Sequence, residues 1–279
     1  MRLVVNGDDF GLSETINGGL IRAHGHGILT STSLVAAGTA FEHAVALARK
    51  NTSLDVGVHL TLTEERAVAS VESVPSLLID GERLWPDPRS FVKRFLRGAI
   101  AISEVALEFE AQISRVLDSG LPVTHLDGHQ HLHALPGIRR EVAKLARRHG
   151  IRFVRRPREP VRSFMLADAG RYARVSAMMA LNLVCRFPQR RDTTTTDHFV
   201  GFYFGGRLSK TNLMTLIASL PRSGTCEMMC HPGSAATSPA DRHAAYDRRA
   251  ECDALCDPDV LLALNARGIE LVSFADLVN

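Results

Sequence analysis

Short runs of β-branched and aliphatic residues recur along the chain, each followed by a longer stretch whose apolar positions fall at helical spacing. The runs at 3–6, 32–35, 56–60, 123–126, 153–155, 199–202, 226–229 and 271–274 read as strands. Alternation of this kind marks βα units around a parallel sheet, and eight units fit a closed barrel. The pattern therefore predicts an α/β fold, a distorted (β/α) TIM-like barrel that occupies residues 1–279 as a single domain.

Local punctuation supports the helices. Thr39 and Glu42 have capping-box spacing, and Gly120 and Gly150 stand where helix C-caps belong. Ser238-Pro239 and Asp257-Pro258 each place a capping residue ahead of a proline suited to a first helical turn. Two insert-like segments, 64–100 and 156–198, interrupt the pattern. The first carries Pro75, Trp85, Pro86 and Pro88, then the basic apolar stretch 91–97. The second begins at Arg156-Pro157, ends at Arg190-Arg191, and holds a helix with Tyr172, Val175, Met178, Met179, Leu181, Leu183 and Val184 between arginines. Such a helix has the character of one that lies on a membrane surface or a lipid-like ligand, with ordinary packing on the barrel as the alternative.

Composition narrows the class. At 279 residues with 45% hydrophobic and 23% charged content, the chain can bury a substantial core. A net charge of +3, dispersed along the sequence, gives no argument for nucleic acid. No apolar run reaches the ~18 residues needed to span a bilayer, and a strand from the third residue leaves no room for a secretory signal. Five cysteines, an odd number, then suggest reduced thiols and a cytoplasmic protein. Cys226 with Cys230 and Cys252 with Cys256 loosely suggest a four-cysteine zinc site, but the Cys-x2-Cys knuckle is missing.

The candidate chemistry is concentrated at strand ends. His125-Leu126-Asp127-Gly128-His129-Gln130-His131-Leu132-His133 holds four of the twelve histidines in nine residues. Neutral imidazole is a preferred ligand of divalent metals, so this run marks a candidate metal site. The first strand runs into Asn6-Gly7-Asp8-Asp9-Phe10-Gly11 and the third into Gly57-Val58-His59-Leu60. In a barrel all strand C-termini open on one face, where Asp8, Asp9, His59 and His129 could share a site. One carboxylate and two imidazoles with an open position make a catalytic ligand set. Adjacent aspartates on an extended backbone point to opposite sides, so one can hold a metal while its neighbour stays free to take a proton from water. The seventh strand ends at Cys230-His231-Pro232-Gly233, where His231 could protonate a leaving amine or brace an oxyanion.

With these four motifs in order, the chain resembles the YdjC-like carbohydrate deacetylases over nearly its whole length, and most resembles their hopanoid-associated branch. Gly7 stands where the family often has alanine. The resemblance implies that Asp9, His59 and His129 bind one divalent ion, that Asp8 is the base, and that His231 assists on the far side of the scissile amide. Two imidazoles suit zinc, nickel or cobalt, while oxygen ligation permits magnesium. Asp127 could orient a ligating imidazole, His131 could face the same side as His129, and His133 would stand at the substrate entrance. Arg155, Arg156 and Trp85 are candidate sugar contacts.

The expected reaction is hydrolysis of the N-acetyl amide of an N-acetylglucosamine group carried on a hopanoid lipid, releasing acetate and an amine. Soluble chito-oligosaccharide is the alternative substrate. Phosphoester hydrolysis with two metals, and a non-catalytic sugar- or lipid-binding barrel with a structural metal, are the competing classes. Expected partners are the amino-sugar substrate and the inner face of a membrane, touched peripherally, with a homodimer left open.

Overall fold

Each apolar run named above overlaps a strand in the computed structural model, which describes residues 1–186, 193–234 and 246–277, although the last run does so only at Leu271. The strands are β1 (Arg2–Phe10), β2 (Ser31–Leu34), β3 (Asp55–Leu60), β4 (Val123–Gly128), β5 (Phe153–Val154), β6 (His198–Val200), β7 (Thr225–Cys230) and β8 (Glu270–Leu271). All pair in parallel, in the order β5-β4-β3-β2-β1-β7-β6, with β8 against the start of β1. The helices are α1 (Glu14–His26), α2 (Phe41–Lys50), α3 (Pro88–Leu96), α4 (Ile102–Asp118), α5 (Ile138–Arg148), α6 (Ser163–Leu166), α7 (Tyr172–Val184), α8 (Lys210–Ala218), α9 (Arg248–Leu255) and α10 (Pro258–Ala266).

The barrel is distorted at two points. The Met1 and Leu3 carbonyls accept from Glu270 N and Val272 N, whereas the next carbonyl on that side, Val5 O, accepts from Thr30 N ahead of β2. β8 thus occupies a wedge at the base between β1 and β2, and β1 pairs directly with β7 from Arg2 to Gly7. The second distortion is an open seam: no ladder joins β5 to β6 among the described residues, and only Thr194 bridges to Phe153. Pro157 and Pro160 follow β5 closely and lack the N–H groups a longer ladder would need. The closed ring that eight strands suggest is therefore replaced by a ring open at β5–β6.

Beyond β8 the chain turns under the barrel. Phe274 stacks on His125 at 4.1 Å and meets Phe153 at 5.3 Å, closing the base with Val4 and Val272. Asp55 Oδ2 secures the turn by accepting from Phe274 N at 2.9 Å. Apolar filling at the base leaves the strand C-termini as the polar mouth, the end where α/β barrels carry their sites.

Helix boundaries follow side-chain caps in most places. Ser13, Asp87, Ser209, Asp247 and Asp257 each accept a backbone N–H at a helix start, and Pro88 and Pro258 occupy first-turn positions. Thr39 does not cap α2: its hydroxyl donates to Leu12 O at 2.8 Å, and the helix begins after Ala40 without a side-chain cap. Gly120 and Gly150 take the left-handed conformation just past α4 and α5, as C-cap positions require. Ser238-Pro239 and Arg190-Arg191 lie outside the described residues.

Both insert segments are tied to the barrel. In residues 64–100, Glu108 of α4 accepts from Val68 N and Ala69 N, and Glu104 accepts from Ser76 N. Val74, Leu77, Leu84 and Phe91 are buried there. In residues 156–198, the buried Glu159 carboxylate accepts from Gly201 N and Tyr203 N, which joins that segment to the chain leaving β6. No described helix is long and apolar enough to cross a membrane.

Candidate active site

The acidic pair is carried by β1 through an irregularity. Gly7 pairs with Thr32 and Phe10 with Leu34, so three steps along β1 oppose two along β2. This bulge is accommodated by Asp9, whose φ of 73° lies in the left-handed region that aspartate tolerates better than most residues. In a regular strand the two aspartates would face opposite sides. The bulge re-aims one of them, and both Asp8 and Asp9 line the same cavity of 320 Å³, together with His59, His129, His131 and His231.

Asp9, His59 and His129 present ligand atoms that all lie within 4.8 Å of one another. Asp9 Oδ1 stands 3.6 Å from His59 Nε2 and 3.2 Å from His129 Nδ1. His59 Nδ1 donates to Asp127 Oδ1 at 2.8 Å, which in the neutral ring leaves the Nε2 lone pair facing Asp9. A lone pair opposed to a carboxylate oxygen fits a cation between them. Asp9 Oδ2 is taken by Arg248 Nη2 at 2.6 Å, so one oxygen of Asp9 is held and the other faces the imidazoles. His129 lies between Asp9 Oδ1 and Glu64 Oε2, each 3.2 Å away. Burial alone would lower its pKa, but the hydrogen bonds and charges of those two carboxylates push it up to about 10. The donor set and its negative surroundings fit one divalent ion.

Below this group one guanidinium organises three carboxylates. Arg155 donates to Asp8 through Nη1 at 2.6 Å and Nη2 at 2.7 Å, contacts Asp127 Oδ2 through Nη2 at 2.8 Å, and donates to Glu227 Oε1 through Nε at 2.6 Å. All four residues are buried. Asn6 Nδ2 adds a bond to Asp8 Oδ1 at 2.9 Å, and Ser33 Oγ one to Asp127 Oδ2 at 2.8 Å. Burial opposes ionisation of Asp127, yet the Arg155 charge and His59 outweigh it and hold its carboxyl below the usual range. For Glu227 burial prevails over Arg155 and raises the carboxyl to about 7.

His231 reaches the cavity from the end of β7, and its backbone N–H donates to the buried Glu251 at 2.6 Å. Burial, against the attraction of Asp9 and Asp8, pushes its imidazole down to about 3, so the ring is neutral. Its Nδ1 is buried with no hydrogen-bond partner among the described residues. Tyr246 packs edge-on against it at 5.0 Å.

The other candidates separate. His131 lines the cavity, held in a left-handed turn with Gln130 and packed edge-on against Phe199 at 5.9 Å. His133 does not stand at an entrance: it is buried beside Gly128, and its Nε2 donates to Arg155 O at 3.1 Å. Arg155 grips carboxylates, not a sugar. Arg156 points away from the cavity and donates to the Cys185 and Arg186 carbonyls at the end of α7. Trp85 donates to Ser76 O and lies under Arg94, while Pro88 reaches the cavity wall in its place. The cysteines give no zinc site: Cys226 and Cys230 lie on β7, Cys252 and Cys256 at the end of α9, and no cysteine joins a metal-binding group among the described residues.

Several site residues carry no motif in the sequence. Glu64, Arg174, Phe202, Tyr246 and Arg248 approach from loops and helix ends that only the fold brings together. Glu227 went unassigned as well, although a single acid inside an apolar strand is a signal of a buried partner.

Comparison with known proteins finds relatives over nearly the whole chain. The family described as YdjC-like protein matches residues 2–266. A carbohydrate deacetylase of Clostridium beijerinckii is 31% identical over 278 residues, covering 99% of this chain and 100% of its own. A chitooligosaccharide deacetylase of Enterobacter sp. (strain 638) is also 31% identical over 278 residues, covering 99% and 98%. Among solved structures, an Enterococcus faecalis V583 protein, a candidate for cellobiose-phosphate cleavage, superposes with a TM-score of 0.76 at 26% identity, covering 99% of this chain and 98% of its own.

Proposed function

The chain belongs to the YdjC-like family, and from that premise we propose that it hydrolyses the N-acetyl amide of an N-acetylglucosamine group, releasing acetate and a free amine. One observation carries the reading: of two adjacent carboxylates that line one cavity, Asp9 belongs to the Asp-His-His group, whereas Asp8, which groups with His59 and Asp127, is held through both oxygens by Arg155. A merely structural metal site has no use for the second carboxylate.

Asp9, His59 and His129 would hold one divalent ion, with zinc, nickel or cobalt favoured by the two imidazoles and magnesium permitted by the carboxylate. When bound, such an ion supplies positive charge that polarises the acetyl carbonyl and acidifies a neighbouring water. Asp8 is the base. Arg155 and Asn6 take both lone pairs of its Oδ1, but Arg155 takes only one of Oδ2, so Oδ2 can accept the proton of the attacking water. Neutral His231 offers a ring N–H from the other side of the cavity, suited to bracing the developing oxyanion or meeting the leaving amine. His131, Phe202 and Tyr246 supply ring faces and edges against which a sugar can lie.

The finer reading places the sugar on a lipid such as a hopanoid. The exposed face of α7 supports it, because that helix also sends Arg174 into the cavity. The name of the Enterobacter relative supports soluble chito-oligosaccharide instead. Acetate release from both substrates, measured with and without a chelator, tests the reaction, the metal and the carrier together. Chelator-sensitive release from the lipid-linked sugar is expected; release from the soluble oligosaccharide alone overturns the finer reading, and release from neither overturns the function.

A further inference from the structure

The open seam between β5 and β6 leads to a second cavity, of 640 Å³, that the catalytic groups do not use. Arg156, Arg158 and Arg186 line one part of it, and Val161, Met179 and Leu183 another. Among the described residues its one lining carboxylate is already engaged: Asp197 Oδ2 accepts from Thr225 N at 2.8 Å and from Thr225 Oγ1 at 2.9 Å. Among those residues the Arg156 guanidinium meets carbonyls and no acid, and burial together with the charges of Arg158 and Arg139 pushes it below the usual guanidinium range. The cavity is thus a region of positive charge next to an apolar wall.

That wall continues onto the surface. Tyr172, Met179 and Leu183 lie at spacings of seven and four on α7, one line along the helix, and are 54%, 58% and 64% exposed. The other exposed positions of α7 are alanine and serine, so its outward face carries no charge. Leu166 and Val161, both exposed, extend the same surface before the helix. An uncharged helix face beside a cluster of arginines matches an amphiphile that is acidic at its head.

We propose that this cavity and the outer face of α7 form a binding site for acidic phospholipid, with the phosphodiester headgroup among Arg158, Arg186 and Arg156 and the acyl region against Met179, Leu183 and Tyr172. Phe199 separates the two cavities: it lines the arginine cavity, and its ring meets His131 and Arg155 on the catalytic side. α7 is common to both, with Arg174 in one and Met179 and Leu183 in the other. A membrane bound here would hold the catalytic mouth close to a lipid-linked sugar. The site deepens the lipid-linked reading but does not require it, because lipid binding needs no turnover.

The test is co-sedimentation of the full chain with vesicles of phosphatidylglycerol and phosphatidylcholine, against vesicles of phosphatidylcholine alone. Binding only to the acidic vesicles, weakened by salt, is expected. Arg158→Ser and Arg186→Ser should each weaken it by roughly fivefold, and Leu183→Glu should weaken it at least as much, with the thermal transition of each variant unchanged. Equal binding to both vesicle types, or undiminished binding by folded variants, overturns the proposal. So does self-association in sedimentation velocity that Leu183→Glu abolishes without any vesicle binding, which would make the face a contact between two copies. A chain that binds acidic vesicles yet releases no acetate refutes the deacetylase reading alone.

Discussion

Arg155 holds both carboxylate oxygens of Asp8, through Nη1 at 2.6 Å and Nη2 at 2.7 Å, inside a barrel where neither side chain meets solvent appreciably. The same guanidinium also serves Asp127 and Glu227. It thereby connects Asp8, the proposed base, to the carboxylate that hydrogen-bonds His59 and to Glu227. The geometry that makes Asp8 available to the cavity is thus inseparable from the charge balance of the interior.

Removing that charge should be costly. Arg155→Met would leave three buried carboxylates without their cation, a loss of about 3–5 kcal/mol for a broken buried ion pair. Urea unfolding measures it directly, and Arg155→Lys should recover part of the loss but not the paired contact to Asp8. A variant within about 1 kcal/mol of the parent would show that the network is not a structural keystone.

Metal binding should release protons. His129 is pushed up to about 10 by Asp9 and Glu64, so in the metal-free chain the ring is protonated at neutral pH and must lose that proton to bind. Apparent affinity should rise about tenfold per pH unit between roughly pH 6 and pH 9. Titration calorimetry in two buffers of different ionisation heat gives the proton count. Glu64→Gln removes one cause of the shift and should flatten the slope; an affinity independent of pH would contradict the assignment of His129.

Stability should fall as pH rises through the weakly acidic range. Glu251 is fully buried, and burial outweighs its backbone hydrogen bonds to raise its carboxyl from the ordinary 4.5 to about 7. The native state then binds the proton more tightly than the unfolded one. Its contribution is complete below about pH 4.5 and is lost towards pH 7, to an extent of at most about 3 kcal/mol. Glu251→Gln, compared with the parent by urea unfolding at pH 5 and pH 8, should lose much of that slope. An unchanged slope would place the titration elsewhere.

Much of this was legible in the sequence because strands announce themselves by β-branched runs: seven strands overlap their runs by two residues or more, and the eighth meets its run only at Leu271. The histidine run falls at the end of β4, where the structure places Asp127 against His59 Nδ1 at 2.8 Å. What stayed illegible depends on partners distant in sequence. Two acidic residues read as the end of β1, yet the strand continues through them to Phe10 because their charges find Arg155 and Arg248 inside. The left-handed turn at Asp9 follows from the mismatch with β2, which no local pattern encodes. His133 and Arg156 carry the right chemistry on the wrong side of the backbone, a distinction set by the tight turn after β4 and by the residue-by-residue alternation after β5.

The central claim is that the bulge divides labour between neighbours, Asp9 holding the ion and Asp8 moving the proton. Bound divalent metal per chain and acetate release, measured side by side for Asp8→Asn and Asp9→Asn, test it most directly. Asp8→Asn is expected to keep the ion and lose about 10²- to 10⁴-fold in turnover, whereas Asp9→Asn loses the ion itself. Substantial turnover by Asp8→Asn, or an ion retained by Asp9→Asn and lost by Asp8→Asn, would contradict it.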